Sequence, residues 1–184
     1  MRHDTDDDTL MALVADGEEA AFRLLVQRWE TDVRTFLIHM VGSVDEAEDL
    51  CQETFVKVFR QAGKYRPQGL FRSWLLRIAG NLARSRLRRR KIIGWVRFDT
   101  TTHDTPAPDA GPLAALERDE ATRTVRAAVD ALPERQKQAL VLHRFQGLRY
   151  REVAEAMETT VPGVESLIQR ALAGLRERLG DADV

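Results

Sequence analysis

Trp74, Arg77, Asn81, Arg84 and Arg88 follow one another at steps of three, four, three and four residues. On an α-helix that spacing puts all five on one face. The face would carry a flat indole, one amide and three cations. Cations attract the phosphates of a polyanion, and a flat aromatic can stack on an unpaired base. The five lie in a segregated block of charge, because residues 61–98 hold eleven Lys or Arg and not one Asp or Glu. Tyr65, Phe71 and Trp95 lie in the same block. Nucleic acid, locally single-stranded, is the partner such a surface suits. A solvated basic helix face is the plainer alternative.

A second candidate surface lies near the C-terminus. Residues 149–179 have the layout of a helix-turn-helix. Tyr150 to Met157 reads as a short helix with Val153, Ala154 and Met157 inward. Glu158 to Val161 is the turn, and Pro162 opens a second helix with Val164, Leu167, Ile168 and Ala171 on its core side. The opposite side offers Glu165, Ser166, Gln169 and Arg170. Such polar and cationic groups can reach base edges and phosphates in the major groove. An ordinary helical hairpin fits the same periodicity. A tight turn of this kind favours glycine, because one residue takes a positive φ. Glu158 occupies that place, so a non-glycine residue is expected there at some cost.

The elements that position these surfaces all read as helix. Phe22, Val26, Trp29, Val33, Phe36 and Met40 form one apolar stripe, which Gly42 ends. Ser43 and Glu46 make a capping box for a second helix with Ala47, Cys51, Phe55, Val58 and Ala62 inward. Cys51 therefore reads as plain core. Gly63 to Gly69 is a loop, and a third helix runs from Phe71 to about Lys91 on Leu75, Ile78 and Leu82. Thr100 to Thr102, Pro106, Pro108, Gly111 and Pro112 mark residues 92–112 as a linker, with Trp95 and Phe98 expected to dock its start. Leu113, Leu116, Val125, Val129 and Leu132 then resume a helical period, and Pro133 suits the first turn of a further helix that Gly147 closes. The fold class is all-α. Two small helical domains, a bundle and a helix-turn-helix unit, are joined by a flexible linker. The expected divisions are an acidic segment over 1–17, a first domain over 18–91, the linker, and a second domain over 113–184.

Composition narrows the function classes. The net charge is −1, yet residues 1–60 carry fourteen acids and six bases, before the acid-free block begins. Two oppositely charged halves suggest two different partners. One cysteine and four scattered histidines leave no disulfide framework and no metal-ligand spacing. No phosphate loop or nucleophile elbow is present. No enzyme activity, cofactor or metal is expected. The acidic N-terminus lacks a secretory h-region, and no apolar run approaches the ~18 residues that span a bilayer. A soluble cytoplasmic protein without membrane insertion is the expectation.

The order of the motifs is that of a known family. Asp49-Leu50-Cys51-Gln52-Glu53-Thr54-Phe55 matches D-L-x-Q-E-x-F, and residues 71–81 match F-x-x-W-L-x-x-I-A-x-N. Ala131-Leu132-Pro133-Glu134-Arg135 carries the family's L-P, and residues 147–154 are similar to G-L-S-Y-x-E-I-A. Val164 to Ala171 looks like its recognition helix. The chain thus resembles an extracytoplasmic-function (ECF) sigma factor of bacterial RNA polymerase, over residues 18–91 (region 2) and 113–179 (region 4). The resemblance implies a transcription initiation factor that binds core RNA polymerase at the largest-subunit clamp and the β flap. It implies promoter DNA as a partner, double-stranded at −35 and single-stranded at −10, and an anti-sigma factor as a further partner.

By the resemblance, Glu46, Asp49, Gln52 and Glu53 contact core polymerase, with Asp49 and Glu53 the better candidates and Glu46 serving the helix dipole. Lys64, Tyr65, Arg66, Arg72, Trp74, Arg77, Asn81, Arg84 and Arg88 contact the −10 element. The loop from Lys64 to Leu70 forms a pocket for a flipped base. Arg149, Glu165, Ser166, Gln169 and Arg170 contact the −35 element. The chain departs from the family at Ser85, where Asp is frequent, at Glu165 and Leu167, where Lys and Arg are common, and at Arg149, where Ser is common. Centres about 25 base pairs apart lie ~85 Å apart at ~3.4 Å per pair. A linker over 92–112 reaches at most ~70 Å extended, and two domain half-widths close the gap. The alternative is a helix-turn-helix repressor or activator that works as a dimer without polymerase. Such a double-strand reader has no need of a melting face.

Overall fold

The computed structural model of the protein describes the backbone of residues 5–98 and 120–180, and the side chains of residues 5–92 and 123–180. Among the described residues there are eight α-helices and no strand. Residues 99–119, with most of the expected linker and with Leu113 and Leu116, lie outside the described residues. So do the side chains of Trp95 and Phe98.

The acidic segment expected over 1–17 holds a helix. Helix α1 spans Asp7–Ala15. Asp6 caps it, its carboxylate accepting from the Thr9 N–H at 2.9 Å, and Asp7 and Asp8 in the first turn favour the dipole. The bonds from Thr9 hold the Asp6 carboxyl below its usual range. Leu10, Met11 and Val14 are buried against the following helix.

Helix α2 spans Glu19–Val41 and ends at Gly42, whose φ of 76° lets its N–H reach the Ile38 carbonyl at 2.9 Å. Ala21, Leu25, Val33, Phe36, Leu37, Met40 and Val41 are its buried positions. Phe22, Val26 and Trp29 are only half-buried, because Ala21 and Leu25 take the inner face over the first turns. Helix α3 spans Val44–Gln61, and Ser43 caps it by accepting from the Glu46 N–H at 3.4 Å. The Glu46 carboxylate does not return to Ser43 as a full capping box requires. It pairs with Arg90 Nη1 at 3.4 Å instead. Cys51 is buried, and burial, with Glu30 and Glu48 nearby, pushes its thiol up to about 11. That suits core rather than chemistry.

A short 3₁₀ turn, Ala62–Lys64, leads through a loop into helix α4, Phe71–Phe98. This helix passes the expected end at Lys91 by seven residues. The apolar period fades there, but no proline stops the backbone, and a lone Gly94 costs only about 1 kcal/mol in a helix interior. Helices α5 (Glu120–Asp130), α6 (Glu134–Arg144), α7 (Tyr150–Met157) and α8 (Val161–Leu179) form the C-terminal unit. Pro133 stands just before α6 as its cap residue, and Gly147 takes a φ of 67° beyond it.

The two units pack together. One continuous cluster of buried apolar side chains runs from α1–α4 into Ala139, Leu142, Leu148, Val153 and Met157. A smaller cluster, Ala128, Leu132, Leu140, Ala171 and Leu175, holds α5, α6 and α8. Polar groups also join the units. Lys137 is 4% exposed, and its ammonium donates to the Met40 carbonyl and to Asp130 Oδ1, both at 2.6 Å. Met40 lies at the C-terminal end of α2, where a cation is favoured. Arg126 donates to the Gly42 carbonyl at 3.2 Å, and Lys91 pairs with Glu134 at 3.0 Å. Gln138 is buried with no hydrogen-bond partner for its amide among the described residues. A Cβ on Gly80 of α4 would fall 2.2 Å from Gln138 Nε2, so any larger residue there must displace the buried Gln138 amide.

Candidate nucleic-acid interface

The loop between the 3₁₀ turn and α4 sets one end of the basic face. Phe71 is anchored in the core at 2% exposure and fixes the start of α4. Tyr65 stands edge-on to Phe71 and to Trp74, with centroids 5.8 and 5.0 Å away. Trp74 is half-buried, so it packs on the core and keeps one side open. A cavity of about 260 Å³ opens here, lined by Lys64, Tyr65, Arg66, Gln68, Leu70, Trp74, Arg77 and Glu155. Lys64 and Arg66 are exposed at its rim.

One carboxylate holds this loop from behind. Asp8 of α1 accepts from the Tyr65 hydroxyl and, at 2.7 Å, from the Gly69 N–H. Burial, then the Asp8 bond and the neighbouring acids, raise the Tyr65 phenol, so it stays a proton donor. Asp7 beside it accepts from Arg28 at 2.5 Å and from Trp29 Nε1 at 3.1 Å. These contacts were not legible in the sequence. Asp8 and Tyr65 are 57 residues apart, and Asp8 read as one of several terminal acids.

Along α4 the predicted line is present, but its members are not equally free. Asn81 is exposed and accepts from Arg84, whose guanidinium is lowered by burial first and then by Arg135 and Arg88 nearby. Arg88 is exposed. Arg77 pairs with Glu158 of the C-terminal unit at 3.1 Å. Arg72, expected as a −10 contact though not on this line, points elsewhere. It stacks 5.7 Å over the Trp29 ring and donates to the Gln146 carbonyl at 2.7 Å. Glu155 and Glu158 thus present carboxylates toward the cations of α4 and its cavity.

The helix-turn-helix is formed by α7, a turn and α8. Glu158 is the turn residue, with φ 50° and ψ 54°, as its position predicts. Helix α8 begins one residue earlier than expected, at Val161, with Thr160 accepting from the Gly163 N–H at 3.2 Å. Val164, Ile168, Ala171 and Leu175 are buried, and Leu167 and Leu172 are half-buried. Glu165, Gln169 and Arg170 are exposed, while Ser166 is half-buried and accepts from Arg170 at 2.7 Å. Arg149 precedes α7 with its side chain exposed, and its N–H donates to Glu152 at 2.7 Å.

On α3, Asp49, Gln52 and Glu53 face solvent, and Glu46 is the half-buried partner of Arg90. Sequence reasoning missed the exposed apolar groups beside them. Val56 and Phe59 on α3 and Leu24 on α2 are each about half exposed, with Phe59 edge-on to Phe22 at 5.2 Å. Val56 and Phe59 fall out of phase with the stripe of Cys51, Phe55 and Val58, which is the signal that could have found them.

Known proteins resemble this chain in sequence and in fold. Residues 25–92 match the Sigma-70 region 2 family, and residues 122–175 match the family of Sigma-70, region 4. The RNA polymerase sigma-H factor of Pseudomonas aeruginosa is 32% identical over 184 residues, covering 94% of this chain and 93% of its own. The ECF RNA polymerase sigma-E factor of Haemophilus influenzae is 34% identical over 176 residues, covering 90% of each chain. The structure of CnrH in complex with the cytosolic domain of CnrY superposes with a TM-score of 0.70 at 27% identity, covering 97% of this chain and 99% of that one. Two helical units, one with a cationic aromatic face and one with a helix-turn-helix, define a transcription initiation factor of the sigma-70 type. Within that class, the chain belongs to the ECF RNA polymerase sigma factors.

Proposed function

We propose that the chain carries core RNA polymerase to promoters through three separate surfaces. Asp49, Gln52 and Glu53 on α3, with Val56 and Phe59 beside them, dock on the polymerase, while Glu46 serves mainly to hold Arg90. The exposed edge of α8, with Glu165, Ser166, Gln169 and Arg170, reads the −35 duplex, and Arg149 contacts a phosphate. Tyr65, Trp74 and the loop cavity take the opened −10 strand, and Lys64, Arg66, Arg72, Arg77, Asn81, Arg84 and Arg88 hold it. The observation that carries the reading is the cavity itself. It joins a half-open indole to a rim of cations at the head of α4. A reader of closed duplex has no use for such a pocket. The role is non-catalytic and is exercised in the cytoplasm, where the polymerase is.

Elements ~85 Å apart cannot both be reached while α6 and α7 lie against α2 and α4. Promoter engagement therefore requires the two units to separate. It also requires Arg72 and Arg77 to leave Gln146 and Glu158. The relative CnrH is solved with a protein partner, the cytosolic domain of CnrY. For this chain an anti-sigma factor that covers Leu24, Val56 and Phe59 is the corresponding partner.

Reconstituted transcription tests the function. Purified protein and bacterial core polymerase are incubated with pooled genomic fragments, and transcript 5′ ends are sequenced. New starts that share two spaced upstream motifs are expected. Their absence with folded, inhibitor-free protein would return the chain to the repressor class. Trp74→Ala is expected to bind polymerase normally and to lose promoter opening by ~100-fold or more, about two stacking contacts of 1–3 kcal/mol. Permanganate footprinting reads the opening directly.

A further inference from the structure

The cavity loop, residues 65–70, is tied down at both ends by one side chain from outside the −10 face. Asp8 accepts from the Tyr65 hydroxyl with one oxygen and from the Gly69 N–H with the other. Between these ties lie Arg66, Pro67 and Gln68, all exposed, with Arg66 and Gln68 on the cavity wall. Gly69 takes a φ of 68°, so the chain reverses sharply where Asp8 grips it. Asp8 is itself held firmly. It stands in the first turn of α1, whose Leu10 and Met11 are at most 2% exposed. The adjacent Asp7 is bonded to Arg28 and Trp29 of α2. The carboxylate thus transmits the position of the α1–α2 pair to the loop. Tyr65 gains a fixed ring plane against Trp74 through the same bond.

We propose that Asp8 is a positioning residue for promoter-base selection, fixing the loop so that Tyr65 and Gln68 present one shape of cavity to a −10 base. The proposal rests on the sigma-factor reading and deepens it. Discrimination between bases depends on groups held within a fraction of an ångström, because a misplaced donor or wall contact is lost for all bases alike. With the ties cut, the loop keeps its cations and still attracts DNA. Its power to prefer one base falls.

The test uses the full chain with core polymerase on a promoter library randomised across the −10 element, with transcripts sequenced. Asp8→Ala is expected to lower base preference about tenfold at one −10 position, close to the worth of a single charge-assisted hydrogen bond. Preference at −35 and affinity for core polymerase stay as in the parent. Tyr65→Phe cuts one tie and is expected to give a smaller loss at the same position. The double variant is expected to lose less than the sum, because the two changes remove a shared bond. Asp8→Asn, closest in shape, keeps the fold if alanine does not, and is expected to shift the same position.

Wild-type base preference in a folded Asp8→Asn or Asp8→Ala protein overturns the proposal. So does an equal gain in rate on all −10 sequences with a steeper salt dependence, which would mean that Asp8 acts only as a repelling charge. Either result leaves the sigma-factor reading standing. Failure of the parent protein to direct any start removes both.

Discussion

Inside the N-terminal unit, α2, α3 and α4 meet through Val33, Phe36, Leu50, Phe55, Val58 and Leu75, none more than 6% exposed. Where that unit meets the C-terminal one, apolar contacts are joined by an ammonium on a carbonyl, a guanidinium on a carbonyl and an unpartnered amide. The first kind of contact is worth about 25 cal/mol per Å² and tolerates small shifts. The second depends on direction and distance, and its net worth is small because each group gives up water. A bundle held by the first kind folds and stays folded. A contact that mixes in the second kind can be specific in geometry and still come apart. The difference is what a factor needs if its two DNA-reading units are to part and remain intact.

The comparison can be broken at either side. Leu50 lies on α3, which packs chiefly on α2 and α4, so Leu50→Ala should cost about 2–5 kcal/mol in denaturant unfolding. The spacing between the units, read by small-angle scattering on the protein that remains folded, should not change. Lys137→Met removes the ammonium's bond to the Met40 carbonyl across the units, along with its bond to Asp130 inside the C-terminal unit, and should weaken the inter-unit contact by about 1–3 kcal/mol. The scattering radius is expected to grow while the helical circular dichroism holds. A more compact variant with unchanged helicity would contradict this account. Gly80→Ala should favour α4 locally by up to about 1 kcal/mol, yet open the units through the clash with Gln138. Adding Gln138→Ala to Gly80→Ala should restore compaction, since the amide that obstructs the new methyl is gone. Gln138→Leu alone should give the smallest change, a tighter contact by about 1 kcal/mol, because it removes a buried amide that has no partner among the described residues. A shift of the scattering radius toward the compact limit reads it.

Local chemistry was legible in the sequence. Gly42 closing α2, Ser43 opening α3 and Glu158 in a left-handed turn each follow from residues within a few positions of the feature. The face of Trp74, Arg77, Asn81, Arg84 and Arg88 follows from helical period alone, and so does the exposed edge of α8. What escaped was non-local or masked by composition. Helix α1 was hidden because Asp4, Asp6, Asp7 and Asp8 drew the reading to charge, although Leu10 to Ala15 form an unbroken apolar run behind them. The packing of the units escaped because Lys137, Gln138 and Gln146 are polar residues that pattern rules place on the surface, and here they are buried. Glu46 looked like a reciprocal cap, but Arg90, 44 residues away, takes its carboxylate.

The Arg77–Glu158 pair has a consequence for how promoter binding responds to salt. A free surface arginine that meets a phosphate displaces condensed cations from the DNA, and each such event steepens the fall of affinity with salt by about 0.9 in logarithmic slope. If Arg77 takes its proposed place on the −10 strand, it starts from a pairing with a carboxylate 3.1 Å away. Salt loosens that pair as it weakens the contact with phosphate, so the two effects offset one another. The protein that binds a promoter from its packed state should therefore titrate as though it had about one cation fewer than its sequence displays.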